Sequence, residues 1–300
     1  MPQYDFATKQ NNGKVTLFAI HSFLIQCLQI CVTKHVQSGA SFVKTDKLII
    51  LGTSLSESEK AIKLVNQFNN KKLFATVGCH PTNCKEFALN PEDFVMKMNE
   101  LIEENINTVV AVGEIGLDLD RTQFCDIDTQ KKCLQIQLDG LEHHKLPFLM
   151  HNRRTTDELI RIFDKYEIRS DKIIHSFTDT YDEAMKFIDY DCYIGINGCS
   201  MKTDEQLDSI ARLPLDKILV ETDCPWCEIR PSHASYKYVD THFDEYRIKK
   251  ERHESFWMVK GRCEPISIIQ VIEVIANLKE LPISYVVKEL NENAKKIFNF

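Results

Sequence analysis

KILVETDCPWC, residues 217–227, decides how the chain is to be read. Its second half contains a C-x-x-C formed by Cys224 and Cys227, the spacing of a thiol–disulfide motif or of half a zinc site. Its first half is a short apolar run leading straight to Asp223, as a buried strand delivering a carboxylate would. A redox C-x-x-C needs a thiolate stabilised at a helix N-terminus, whereas Pro225 holds Cys224 in a turn. A four-cysteine zinc site needs a second pair, and Cys192 and Cys199 lack the spacing. The strand reading is favoured, with Asp223 as a metal ligand and the two thiols as incidental pocket-wall or structural groups.

Similar runs recur upstream: Lys47–Gly52, Leu73–Gly78, Thr108–Gly113, Leu146–Met150, Lys172–Ile174 and Cys192–Ile196. Continuous apolar runs suit strands covered on both faces, as in parallel sheets. Helix start signals lie between them. Ser54 with Glu57, Thr155 with Glu158, Thr180 with Glu183 and Thr203 with Gln206 have capping-box spacing, and Asn90-Pro91 is an N-cap followed by proline. With Val15–Ile20 as a first strand and a helix over Leu24–His35, the count reaches eight, which predicts an α/β fold of the TIM (β/α)8 barrel type. An open doubly wound sheet is the competitor, but neither a G-x-G-x-x-G nor a phosphate-binding P-loop motif is present. Helices over Ile266–Lys279 and Ser284–Phe298 complete the outer ring, and the aperiodic segment Pro231–Gly261 is expected over the barrel mouth.

The segment 15–32, although apolar, is interrupted by His21, Ser22, Gln26 and Gln29, so a strand and helix are favoured over a membrane anchor. A net charge of −7 argues against a protein that coats a duplex with a basic face, but not against nucleic acid entering a metal-containing pocket. Eleven scattered cysteines suggest reduced thiols and an intracellular setting, nucleus or cytoplasm.

The polar residues at the strand ends carry the chemistry. His80, Glu114, His151, His175 and Asp223 each follow a different strand candidate, and in a barrel those ends share one face. Any one of them alone reads as an ordinary structural residue; the repetition favours a metal site. Mixed imidazole and carboxylate donors suit Zn²⁺, Mn²⁺ or Mg²⁺, and a shared carboxylate can hold two ions, which implies hydrolysis.

GCHPT at 78–82, GEIGLDLDR at 113–121, LPFLMHNR at 146–153, HSF at 175–177, YIGINGCSMKT at 193–203 and ETDCPWC at 221–227 occur in the order of the motifs of the TatD-like metal-dependent deoxyribonucleases, whose eukaryotic branch the chain resembles from about residue 45 to 300. The resemblance implies one TIM-barrel domain over 1–300 with a divergent 1–44, one or two divalent ions, and hydrolysis of DNA phosphodiesters. The implied action is 3′ to 5′, on DNA that is single-stranded or has a free 3′ end, without a membrane partner. Carried over, Glu114, His151, His175 and Asp223 bind metal, Glu114, Asp223 and His80 serve catalysis, and His80 and Arg153 hold the scissile phosphate, a task suited to the guanidinium fork. Three positions depart from the family pattern. The first strand ends in Ala19-Ile20-His21-Ser22-Phe23 where an acidic motif is usual, Asn152 stands for cysteine, and Cys263 stands for asparagine. The first departure removes ligands from one metal position. It keeps two alternatives open, another amidohydrolase-like metal hydrolase and a catalytically impaired barrel acting as a binding protein. Trp226, Tyr236, Tyr238 and Trp257 are candidates for stacking on unpaired bases, and Arg247, Lys249, Lys250 and Arg252 for backbone attraction.

Overall fold

Side chains alternate across a strand, and the alternation in 48–51 shows how the barrel is filled. Leu48 and Ile50 pack into the layer between sheet and helices, while Ile49 and Leu51 join a second cluster with Ala111, Leu149, Ile173, Tyr193 and Leu219. That second cluster takes residues from successive strands and is the barrel interior. The computed structural model describes residues 15–21, 45–68, 71–166, 168–252 and 257–299. Its strands are β1 (Val15–His21), β2 (Thr45–Leu51), β3 (Leu73–Val77), β4 (Val109–Asp118), β5 (Phe148–Arg153), β6 (Lys172–His175), β7 (Tyr193–Ile196) and β8 (Ile218–Cys224). They follow one another in order around a closed barrel, every neighbour parallel, and β1 bonds to both β2 and β8. The first strand is thus where the sequence placed it; the helix expected over Leu24–His35 lies outside the described residues.

Outside the barrel run α1 (Leu55–Phe68), the short α2 (Cys84–Phe87), α3 (Pro91–Glu104), α4 (Ile127–Leu141), α5 (Thr156–Lys165), α6 (Tyr181–Asp189), α7 (Asp204–Arg212), α8 (Ile268–Leu278) and α9 (Ile283–Phe298). Two of the four expected capping boxes are complete, at Thr180 with Glu183 and Thr203 with Gln206. Ser54 accepts from the Glu57 N–H at 3.2 Å. Thr155 does not cap α5; its hydroxyl donates to Asn152 Oδ1 at 2.7 Å, so a better acceptor within the fold displaces the local cap. Asn90 accepts from Asp93 N ahead of Pro91, as expected. The segment after β8 is tied down by Ala234 N–H to Lys202 O and by Cys263 N–H to Pro225 O, and it contains a two-residue parallel bridge between β9 (Arg247–Ile248) and β10 (Met258–Val259). Among the described residues no helix is long and apolar enough to cross a membrane.

The strands are longer at their C-terminal ends than the apolar runs suggested. β4 extends from the expected stop at Gly113 to Asp118, β5 from Met150 to Arg153, and β8 from Val220 to Cys224. Polar residues mark strand ends only where the side chain meets water, and here they point inward. Gly116 fixes this extension. Paired opposite His151, it has φ +143°, and a Cβ there would lie 2.1 Å from the His151 carbonyl oxygen. Gly116→Ala should therefore force β4 and β5 apart at the height of His151, costing about 3 kcal/mol through overpacking and backbone strain. Urea unfolding should show a lowered midpoint at an unchanged slope.

Candidate metal centre

The inward set of each strand changes from aliphatic to ionisable as it nears the C-terminal rim. On β5 the interior residue Leu149 is followed two positions on by His151; on β6 Ile173 is followed by His175; on β8 Leu219 is followed by Glu221 and Asp223. On β4, Ile115 and Leu117 pack outward, which leaves Glu114 and Asp118 facing in. Every one of these polar residues is buried, as is His80, three residues past β3.

Strand pairing brings them together. His151 lies opposite His175 in the β5–β6 ladder. Glu114 Oε1 is 2.8 Å from His151 Nδ1, 3.8 Å from His80 Nε2 and 3.9 Å from His175 Nε2, and His175 Nε2 is 3.5 Å from Asp223 Oδ1. Glu114 therefore stands at the junction of two groups, one with His80 and His151 and one with His175 and Asp223. In the first, the donor atoms all lie within 4.8 Å of one another, the spacing of groups able to share one cation.

Each ring is oriented from behind. His175 Nδ1 donates to Glu221 Oε2 at 2.8 Å, His151 Nε2 to Asp118 Oδ2 at 3.0 Å, and His80 Nδ1 lies 2.7 Å from Thr82 Oγ1. The carboxylate partners of His175 and His151 fix which nitrogen carries the proton and turn the other toward the centre, whereas His80 Nδ1 accepts the Thr82 N–H at 3.2 Å. Glu221 is itself held by the Ser176 N–H at 2.7 Å and by Asn197 Nδ2 at 2.9 Å. The chain bends sharply just past the tips, with Ser176 at φ +49° and Asp223 at φ +51°, a left-handed conformation seldom adopted by residues with side chains and often found at functional sites.

The electrostatics follow from this crowding. Burial alone would raise the Glu114 carboxyl, but His175, His80 and His151 hold it well below the usual carboxylate range. Burial opposes a charge on His175 and on His151; the carboxylates around them more than offset it and hold both imidazoles above their ordinary value. The fit to a cation is good. Glu114 Oε2 is buried and has no hydrogen-bond partner among the described residues, and the buried donors comprise four carboxylates, Glu114, Asp118, Glu221 and Asp223, against three imidazoles. Such a set is incomplete without positive charge.

Asp118 and Glu221 were missed in the sequence. The available signal was the strand period: Asp118 lies four residues from Glu114 and Glu221 two from Asp223, so each shares its neighbour's face. Arg153, two past His151, reaches over the rim to donate to Thr178 Oγ1. The C-x-x-C does not act as a pair. Cys224 packs into the outer core, whereas the Cys227 thiol donates to Asp223 Oδ2 at 3.4 Å. Arg247 is engaged by Glu228, Tyr236 stacks near His242, and Trp226 is half exposed.

A parallel barrel whose interior turns from hydrocarbon to imidazole and carboxylate at the catalytic rim places the protein among the metal-dependent barrel hydrolases. More narrowly, the chain belongs to the TatD related DNase family, whose model matches residues 32–299. It is similar to the "Deoxyribonuclease Tat-D" of Schizosaccharomyces pombe, 36% identical over 264 residues that cover 86% of this chain and 84% of that one. It is also similar to the "3'-5' ssDNA/RNA exonuclease TatD" of Citrobacter koseri, 28% identical over 218 residues covering 70% and 79%. The crystal structure of a TatD family hydrolase from Entamoeba histolytica superposes with a TM-score of 0.84 at 25% identity, covering 95% of this chain and 99% of that one.

Two outcomes are expected of the centre. Glu221→Gln, which weakens the hold on the His175 ring, should lower divalent-cation affinity about 10–100-fold without changing the circular dichroism spectrum. Because His151 and His175 hold protons more tightly than free imidazole, a cation must displace them. Affinity should accordingly fall as pH is lowered and rise as pH climbs, and calorimetry in buffers of differing protonation enthalpy should record net proton release near neutral pH.

Proposed function

We propose that the chain, acting as one barrel domain over residues 1–300, hydrolyses DNA phosphodiester bonds with one or two divalent ions, removing nucleotides from the 3′ end of a single strand. The observation that carries this reading is the buried cluster around Glu114, with a carboxylate oxygen left over for a cation, in a chain of the TatD related DNase family. The name of the Citrobacter relative supports the polarity and the single-stranded substrate.

Glu114, His151, His175 and Asp223 are the proposed ligands. When bound, Mg²⁺, Mn²⁺ or Zn²⁺ supplies Lewis acidity toward a phosphoryl oxygen and acidifies water. The chain does the rest. Asp223, bent into the opening by its left-handed backbone, takes the proton of the attacking water. Asp118 and Glu221 keep the rings in the tautomer that faces the centre. Arg153 at the rim, aided by His80, pairs with the non-bridging oxygens as charge develops there. A net charge of −7 favours a substrate engaged by its end over one held along its length. The nine described cysteines are all free thiols, which supports a reducing compartment, the nucleus or cytoplasm.

The test is an end-labelled single-stranded oligonucleotide incubated with the protein in Mg²⁺ or Mn²⁺ and in chelator. Shortening from the 3′ end should require the metal, and Glu114→Gln or His151→Ala should slow it on the order of 10²–10³-fold. Metal-loaded protein that cleaves no DNA would reject the reading, and full activity in either variant would move the site elsewhere.

A further inference from the structure

Among the nine described cysteines, seven are buried and two have access to solvent, Cys199 and Cys227. These two are neighbours. Cys199 lies in the 3-10 turn Gly198–Met201 that follows β7, and Cys227 in the turn that follows β8. The turns touch through their backbones, since a Cβ on Gly198 would lie 2.1 Å from the Cys227 carbonyl oxygen. The neighbouring Cys227 thiol lowers the Cys199 thiol to about 7, with Lys202 acting in the same sense. Cys224, the partner that the C-x-x-C spacing suggested for Cys227, packs into the outer core.

We propose that Cys199 and Cys227 form an oxidisable pair that closes to a reversible disulfide on meeting a hydroperoxide. The Cys199 thiolate attacks one peroxide oxygen, the O–O bond breaks, and the departing oxygen takes a proton and leaves as water or alcohol. The Cys227 sulfur then displaces hydroxyl from the resulting sulfenic acid, and its own proton leaves with that hydroxyl as water. Two thiols are oxidised and one peroxide is reduced. Closure also removes the Cys227 S–H from the Asp223 carboxylate, 3.4 Å away. The bridge stands on the close approach of the two turns and the access of both thiols to solvent; its effect on the metal centre rests on the role proposed above for Asp223.

The experiment uses the full chain, reduced and then treated with hydrogen peroxide, alkylated, digested and mapped by mass spectrometry. A cross-linked peptide joining Cys199 to Cys227, absent after dithiothreitol and absent in Cys199→Ser, is the expected result. Cys199 and Cys227 both still alkylatable, or Cys199 recovered as sulfinic acid or bridged to another cysteine, would overturn the inference. Calorimetry with Mn²⁺ forms the second arm. Oxidised protein should bind about tenfold more weakly than reduced, and Cys199→Ser should bind equally well before and after peroxide. A bridge that forms with Mn²⁺ affinity unchanged refutes the link to Asp223. Absence of the bridge in a protein that degrades DNA refutes the inference while the proposed function stands. A bridge in a protein inert toward DNA does the reverse.

Discussion

A carboxylate taken out of water must find positive charge, and Glu114 is the position from which the rest of this barrel's interior is arranged. Its side chain is 1% exposed, and three imidazoles from three different strands or strand ends face it within 4 Å. Desolvating such a group without partners costs several kcal/mol. The partners can be supplied only by bringing β3, β5 and β6 around β4, which is what closure of a parallel barrel does. The rings then require carboxylates of their own, and Asp118 and Glu221 meet that need from β4 and β8. Stability and chemistry are coupled here, since the groups that make the centre are those whose burial the fold has to offset.

Much of this was legible in the sequence, for a definable reason. Apolar runs such as Ile173-Ile174 before His175 announce strands because both faces are covered, and five polar residues at five such ends announce convergence. The strand limits were less legible. At Gly113 and Val220 the hydrophobic run stops, but the backbone pairing continues beneath inward-facing Glu114, Asp118, Glu221 and Asp223. Composition records whether a side chain prefers oil; it does not record whether its polar neighbour will be enclosed. Thr155 was misread as a cap because local spacing carries no information about Asn152, which folding brings within reach. Likewise the spacing of Cys224 and Cys227 in the chain pointed to each other, and only the approach of the β7 and β8 turns sets Cys227 beside the turn that carries Cys199.

The departures from the family pattern differ in kind. Asn152 is fully absorbed: it is buried, its Nδ2 donates to Asp179 at 2.8 Å and to Thr156 at 3.3 Å, and its Oδ1 accepts from Thr155. The substitution replaces a thiol with a junction that ties the β5 end to the loop after β6. Cys263 is buried, with its N–H bonded to Pro225 O, a backbone contact that any non-proline residue can supply. The first strand separates two tasks. Its backbone bonds to β2 and β8 and closes the barrel, a task indifferent to side chains, while residues 19–23 offer no carboxylate. Closure is retained without the acidic motif.

The interior cluster that begins with Ile49 and Leu51 also includes Ala294, Ile297 and Phe298 of α9. The last turns of that helix are packed with the barrel's innermost hydrocarbon, at the end remote from the imidazoles. They serve as a floor. An apolar layer beneath the ionisable one lowers the local dielectric, so the strength of the charge interactions above it depends in part on a few apolar side chains within the last seven residues of the chain.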